Sequence, residues 1–285
     1  MSKANECFLY NCIFIDITTQ SAIYFTNANN KFLNSYCSFN NCSSNTDGGS
    51  IYFKCESSIV QYRTCGYKSK TNSYWGHHSY TELVDDSNNK NYFYESSVYE
   101  CGNLEKTGTN CLRYGNVEVK SINTSFCEAE DVSGIFLEAR VCLCNITYSS
   151  FCNTTSSSSI IGLLGGNINL IFCNVLNNEQ NKSRSGTLRS VVADILIENC
   201  SFLGNTGPGV EFYQDYDSPG SITVKDSFCD RIDKVTGSVT TNNVQNTSSI
   251  QKLSHFSSYI CEVNVQTRPH SDAFYHPSYN IRRVH

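Results

Sequence analysis

Short apolar runs, three to five residues long, alternate along the chain with clusters of Asn, Ser, Thr, Asp and Gly. No run keeps an i, i+3, i+4, i+7 spacing for three turns, so the pattern predicts strands and turns rather than helices. The runs recur. Ser-Phe pairs stand at Ser38-Phe39, Ser125-Phe126, Ser150-Phe151, Ser201-Phe202 and Ser227-Phe228, with Ile13-Phe14 and Ile171-Phe172 as relatives. The steps between these Phe residues are 25 (14 to 39), 25 (126 to 151), 21 (151 to 172), 30 (172 to 202) and 26 (202 to 228). The 87 residues from 39 to 126 hold three or four such units. A second run follows several of them and opens on a small residue: SAIYF at 21–25, GSIYF at 49–53, SGIFL at 133–137 and GVEFY at 209–213. A third precedes the next Phe, at 168–172, 194–197 and 222–224. Two to three short strands in every 21–30 residues is the arithmetic of an all-β solenoid, the parallel β-helix. Its coils, stacked about 4.8 Å apart, complete one another's backbone pairing and bury a linear core. A β-sandwich also strings short strands together, but it does not repeat one Phe motif at a nearly fixed step.

Cysteine travels with this repeat in two registers. In Cys12/Phe14, Cys37/Phe39 and Cys200/Phe202 it precedes Phe by two, which puts both side chains on one face of a strand. In Phe126-Cys127, Phe151-Cys152, Phe172-Cys173 and Phe228-Cys229 it follows directly. That register needs a turn or bulge for both to face inward, or it leaves the Cys outward. The repeat is expected to span 1–261 as one β-helix domain. Within it, residues 66–92 lack the Phe motif, are strongly polar and read as an irregular insertion. Residues 262–285, with two Pro and five charged residues, read as a C-terminal tail or cap.

Composition sharpens this picture. The 285 residues include 32 Asn and 60 Ser plus Thr, suited to tight turns, against one Met, one Trp and four Pro. The net charge is 21 − 26 = −5 and the basic residues are scattered, which argues against a nucleic-acid surface. No apolar stretch approaches a membrane-spanning length, and residues 1–20 hold no clean apolar core, so neither a transmembrane segment nor a signal peptide is expected. The 16 cysteines read equally well as disulfides or as free thiols stacked as small hydrophobes. Zinc fits less well, because there is no CxxC and a single CxC (Cys142, Cys144); no metal or other cofactor is expected. Glycosylation sequons occur at Asn41, Asn123, Asn145, Asn153, Asn181, Asn199 and Asn246. That number is what chance gives, 32 × 60/285 being about seven.

Gly48-Gly49-Ser50-Ile51 resembles the GGA[I/L/V] signature of polymorphic-membrane-protein repeats, and Gly165-Gly166-Asn167-Ile168 is a weaker match. Phe8-Leu9-Tyr10-Asn11 and Phe202-Leu203-Gly204-Asn205 fit its FxxN partner motif. Over residues 1–260 the chain resembles the Cys- and Asn-rich versions of these repeats found among surface proteins of parasitic protists. Many coils depart from the pattern; Phe39-Asn40-Asn41-Cys42 keeps Phe but ends on Cys. The resemblance implies a right-handed parallel β-helix displayed extracellularly or on a cell surface, with adhesive or immune-variant roles. The missing leader and anchor leave a cytoplasmic location open.

Parallel β-helices also carry polysaccharide lyases and hydrolases, which need paired carboxyls across the scissile bond. Asn45-Thr46-Asp47 and Asp85-Asp86 match two of the four short motifs of a polygalacturonase-like site, with His77-His78 near the second; Arg-x-Lys is absent. Both acidic motifs also read as solvated turns. Glu128, Glu130 and Asp131 read as a surface charge run. Tyr74 and Trp75, with Tyr80, form the one aromatic patch outside the repeat, suited to a sugar face or an interface, or to covering the core beneath a loop. The candidate binding residues are therefore Tyr74, Trp75, His77, His78, Asp85 and Asp86, with no catalytic residue assigned. The expected function is a non-enzymatic surface or structural β-helix used in adhesion or interaction, its partners host or neighbouring-cell surface proteins or glycans. A carbohydrate-active β-helix enzyme and an intracellular scaffold component are the alternatives.

Overall fold

A computed structural model describes residues 5–255 apart from 27–28, 106–107, 141, 216 and 248. The expected tail at 262–285 lies outside the described residues. The described chain is all strand and turn, with no helix, and all its strand pairs are parallel. Three long sheets run the length of a β-solenoid. Sheet A has ten strands, from Asn5–Tyr10 to Val239–Asn242; sheet B has nine, from Ile13–Ile15 to Phe228–Cys229; sheet C has nine, from Ile23–Phe25 to Val235–Thr236. Shorter pairings between sheets B and C form a four-stranded and a two-stranded sheet. The Phe motif, the small-residue run and the run before the next Phe correspond to strands of sheets B, C and A.

One inward column of sheet A gives the coil lengths. It reads Leu9, Asn34, Gln61, Phe93, Val119, Ile146, Leu170, Ile197, Val224, Thr241, in steps of 25, 27, 32, 26, 27, 24, 27, 27 and 17 residues. The 32-residue coil contains residues 66–92. It carries the strands Lys70–Thr71 and Ser79–Glu82 like its neighbours, and its extra length lies in the turns at 72–78 and 83–89.

Each coil turns two corners on a single left-handed residue. After sheet A these are Asn11, Tyr36, Arg63, Glu95, Ser121, Tyr148, Phe172, Asn199, Asp226 and Asn243; after sheet B they include Asp16, Asn41, Lys68, Glu100, Phe126, Asn153 and Asn177. Asn and Asp adopt this conformation cheaply, whereas Tyr, Phe and Arg do so at some cost. At two coils the Phe-Cys register takes neither expected arrangement, both inward or the Cys outward. Phe126 and Phe172 are corner residues, Phe126 being 51% exposed, while Cys127 and Cys173 point into the core. Phe14, Phe39, Phe151 and Phe202 do share the inward column of sheet B.

After most corners the next residue is small and turned inward; it is Cys at Cys12, Cys37, Cys42, Cys101, Cys127, Cys173 and Cys200, whereas Ile17 and Ile122 take the same place. The side chain of the small residue bonds the backbone carbonyl two residues back: Cys37 to Ser35, Ser96 to Tyr94, Ser149 to Thr147, Cys200 to Glu198. It also accepts the backbone N–H of the preceding coil's equivalent: Cys12 N to Cys37 Sγ (3.4 Å), Thr64 N to Ser96 Oγ (3.0 Å), Cys173 N to Cys200 Sγ (3.3 Å), Cys200 N to Ser227 Oγ (3.0 Å). Asn178 and Asn205 do the same at the second corner. Among the described cysteines fourteen are not disulfide-bonded and Cys65 is. Burial pushes the Cys37 and Cys42 thiols up to about 12, so they stay protonated and unreactive.

The apolar core falls into two clusters, one spanning Phe14 to Leu83 and one spanning Phe93 to Cys229. Residues 249–255 run back over sheet B, where Gln251 exchanges two hydrogen bonds with the Asn174 side chain and His255 Nε2 meets Ser150 Oγ at 2.6 Å.

Candidate functional site

The outward face of sheet C carries a row of aromatic rings, a row of paired charges and two surface cavities. Strand alternation sends Ile51 and Phe53 inward and Tyr52 and Lys54 outward. Stacking repeats that choice in every coil. One outward column reads Tyr24, Tyr52, Tyr80, Cys111, Phe136, Gly162, Arg189, Tyr213. Tyr24 and Tyr52 stack at 4.8 Å between ring centroids, and Tyr52 and Tyr80 at 5.4 Å.

Beside it runs a column of alternating charge: Lys54, Glu82, Arg113, Glu138. Register stacking would set like charges side by side about one strand spacing apart; alternation turns repulsion into pairing. Lys54 meets Glu82 at 3.0 Å, Arg113 meets Glu82 at 3.2 Å and Glu138 at 2.7 Å, and Arg140 meets Glu138 at 2.6 Å. Tyr80 donates its hydroxyl to Glu82, and Tyr114 donates to Glu138 at 2.9 Å. Burial works to raise both carboxyls, but these hydrogen bonds and cations outweigh it and hold Glu82 and Glu138 below the usual carboxylate range. They are ionised, saturated acceptors.

The turn at 72–78 is pinned onto this face. Asp47 Oδ1 accepts the backbone N–H groups of Tyr74 (3.0 Å) and Trp75 (2.9 Å), and Gly48 and Gly49 donate to the carbonyls of Trp75 and Gly76. Trp75 reaches past the coil bearing Cys111 and sets its ring 4.9 Å from that of Phe136. Beyond Phe136 the column loses its side chain at Gly162, leaving a cavity of about 170 Å³ among Val132, Phe136, Leu164, Arg189 and Asp131. A second cavity, about 410 Å³, lies at the other end of the charged column beside Lys54, Glu82 and Leu83.

The residues singled out from sequence scatter. Trp75 and Tyr80 lie on the outward face of sheet C, and Tyr74 is 70% exposed beside them. His77 and His78 have no solvent contact. His77 Nδ1 accepts the Thr71 N–H at 3.2 Å. His78 points inward, with its ring 5.8 Å from Phe39. Gly66 makes that possible, since a Cβ there would lie 2.3 Å from His78 Nδ1. Burial lowers the His78 pKa to about 3, so the ring is neutral. Asp86 closes its own turn by accepting from Asn88 N and Nδ2, both at 2.9 Å. Of the carboxylates in the two polygalacturonase-like motifs, Asp47 thus binds the next coil's turn and Asp86 its own, Asp85 holds a buried Oδ1 with no hydrogen-bond partner among the described residues, and none of them bonds another. Phe136, Gly162, Arg189 and the charged column escaped sequence reasoning. Aligning SAIYF, GSIYF and SGIFL on their small residue places Tyr24, Tyr52 and Phe136 in one column, which was the available signal. No protein family, curated protein or solved structure matches the chain.

Proposed function

We propose that the protein is a non-catalytic binding solenoid that engages glycan-bearing or protein partners through the outward face of sheet C, as an adhesive component of a cell or extracellular surface. The observation that carries this reading is the division of labour on that face. Its aromatic rings stand in a row beside two open cavities, while its carboxylates Glu82 and Glu138 are locked in ion pairs and cannot act as a general acid, which requires a raised pKa. An elongated solenoid face suits many weak contacts in register. Buried thiols such as Cys37 and Cys42 do not oppose an oxidising location, because burial and a raised pKa protect them, and Cys65 is disulfide-bonded. Four sequon asparagines, Asn41, Asn153, Asn181 and Asn246, are exposed.

The test is adhesion of the full chain to immobilised glycans and to cells. The double variant Tyr24→Ala/Tyr52→Ala should lose at least tenfold in binding. Tyr148→Ala, which removes an exposed ring from a corner between sheets A and B, should bind as the parent does. Equal loss in both, or release of reducing ends from a polysaccharide panel, would overturn the reading.

A further inference from the structure

The cavity at Gly162 has a chemistry of its own. In its column the ring of Phe136 stands one coil to one side and the guanidinium of Arg189 one coil to the other, so the two are about two strand spacings apart, roughly 9–10 Å. The gap is built rather than incidental. A Cβ at Gly162 would lie 2.9 Å from Val132 Cγ2 and 3.1 Å from Phe136 Cδ2, so the glycine is what allows these groups to wall the notch. Trp75 backs the Phe136 ring from the far side.

The polar groups are few and unsaturated. Arg189 Nη1 stands 3.9 Å from Asp131 Oδ1, close enough to neutralise it but beyond hydrogen-bond distance, and the buried Arg189 Nε has no hydrogen-bond partner. The notch therefore offers a planar set of N–H donors, a carboxylate acceptor and an aromatic wall, with no net charge. A neutral polyol ring answers all three, laying its C–H face on the aromatic ring and its hydroxyls on the donors and acceptor. A uronic acid or a phosphate would meet Asp131 as a like charge. At about 170 Å³ the space lies below the usual range for ligand pockets, which limits it to a single ring.

We propose that this notch is a subsite for one neutral pyranose unit of a glycan, a deepening that rests on sheet C being the binding face. Trp75, the sole tryptophan, reports on it because its ring touches the notch wall. Its fluorescence should change saturably when the full chain is titrated with at least one of glucose, galactose, mannose and N-acetylglucosamine, and glucuronate should bind no tighter. Asp131→Ala and Arg189→Met, both at partly exposed side chains, should keep the parent melting temperature and weaken that titration at least tenfold. If none of the four sugars gives a saturable change while the adhesion test succeeds through Tyr24 and Tyr52, the subsite falls and the binding face stands. Unchanged affinity in both variants also sinks the subsite. If adhesion and titration both fail, the binding face falls with it.

Discussion

Two inward columns form a dry stretch in the coils from Val119 to Phe212: Val119, Ile146, Leu170 and Ile197 follow one another in sheet A, and Ile135, Ile161, Leu188 and Phe212 in sheet C. One stretch nearer the N-terminus is different. There sheets A and C turn Asn34, Gln61, Asn91, Ser79, Asn110 and Thr81 inward, joined by His78, and all are fully buried. This polar belt separates the two apolar clusters. It shows that the stacked backbone, not the apolar core, sets the path of the chain: register is kept across the belt without a shift. The belt meets part of its own hydrogen bonding, Gln61 Nε2 to Ser79 Oγ at 3.1 Å and Thr81 Oγ1 to Asn91 Oδ1 at 2.9 Å. Both Asn34 amide atoms, Gln61 Oε1, Asn110 Oδ1 and both His78 ring nitrogens find no partner among the described residues. Such groups carry a desolvation cost that the two apolar columns do not.

The widest gap between the two regions should open in acid. Burial among Phe39, Gly66 and its neighbours holds the folded-state pKa of His78 at about 3, below its unfolded value near 6.5. The unfolded chain therefore takes up a proton that the folded chain refuses. Stability from this group is complete above pH 6.5 and is lost as pH falls towards 3, by about 5 kcal/mol. Urea titrations of the parent and His78→Leu from pH 7 to pH 3 should converge or cross by that order, since the carboxylates common to both cancel. Parallel curves would mean that His78 reaches water.

Next in size is the contrast between an inward and an outward copy of one motif. Phe202→Ala should cost about 3–5 kcal/mol, as a fully buried ring in the larger apolar cluster. Phe126→Ala, at an exposed corner, should change stability by under about 0.5 kcal/mol. Equal losses in chemical denaturation would refute the inward and outward assignments.

This pair also marks how far the sequence could be read. A coil of three strands was legible because the Phe step, the small-residue run and the run before the next Phe each recur, and recurrence is what register stacking requires. The facing of Phe126 and Phe172 was not legible, because a left-handed corner shifts the alternation by one residue and Phe is a poor signal for such a corner. The Trp75 patch was visible as composition. Its contact with Phe136 spans two coils, and no local pattern encodes a contact of that sequence separation. His77-His78 looked like surface chemistry since nothing nearby reveals that Gly66, twelve residues earlier, leaves room for a ring.

A smaller effect tests the edge of the belt. Ser96 Oγ accepts from Thr64 N and from Thr64 Oγ1, both at 3.0 Å, and donates to Tyr94 O at 2.7 Å. Ser96→Ala strands the buried Thr64 N–H and should cost about 1–3 kcal/mol. Ser96→Cys should cost less, since Cys37 and Cys200 perform the same bonding at the same corner. If the two substitutions are equally harmful in thermal unfolding, the ladder is packing rather than hydrogen bonding.

The smallest expected change decides what the belt is. Asn34 sits in a column between Leu9 and Gln61, one step from the apolar N-terminal cluster, with its whole amide unpaired. If it is a tolerated defect of the stacking, Asn34→Leu exchanges a desolvated amide for a branched apolar group of similar shape. Stability should then rise by about 1 kcal/mol, because replacing an unsatisfied polar group removes a cost without breaking a bond. A loss of that size would mean that the amide is satisfied in solution by bound water, which buried polar cavities hold through two to four hydrogen bonds each. The belt would then be a hydrated seam with its own ordered partners, and hydrogen exchange in Asn34→Leu should quicken at Gln61 and Asn91 while the amides from Val119 to Ile197 keep the parent rate.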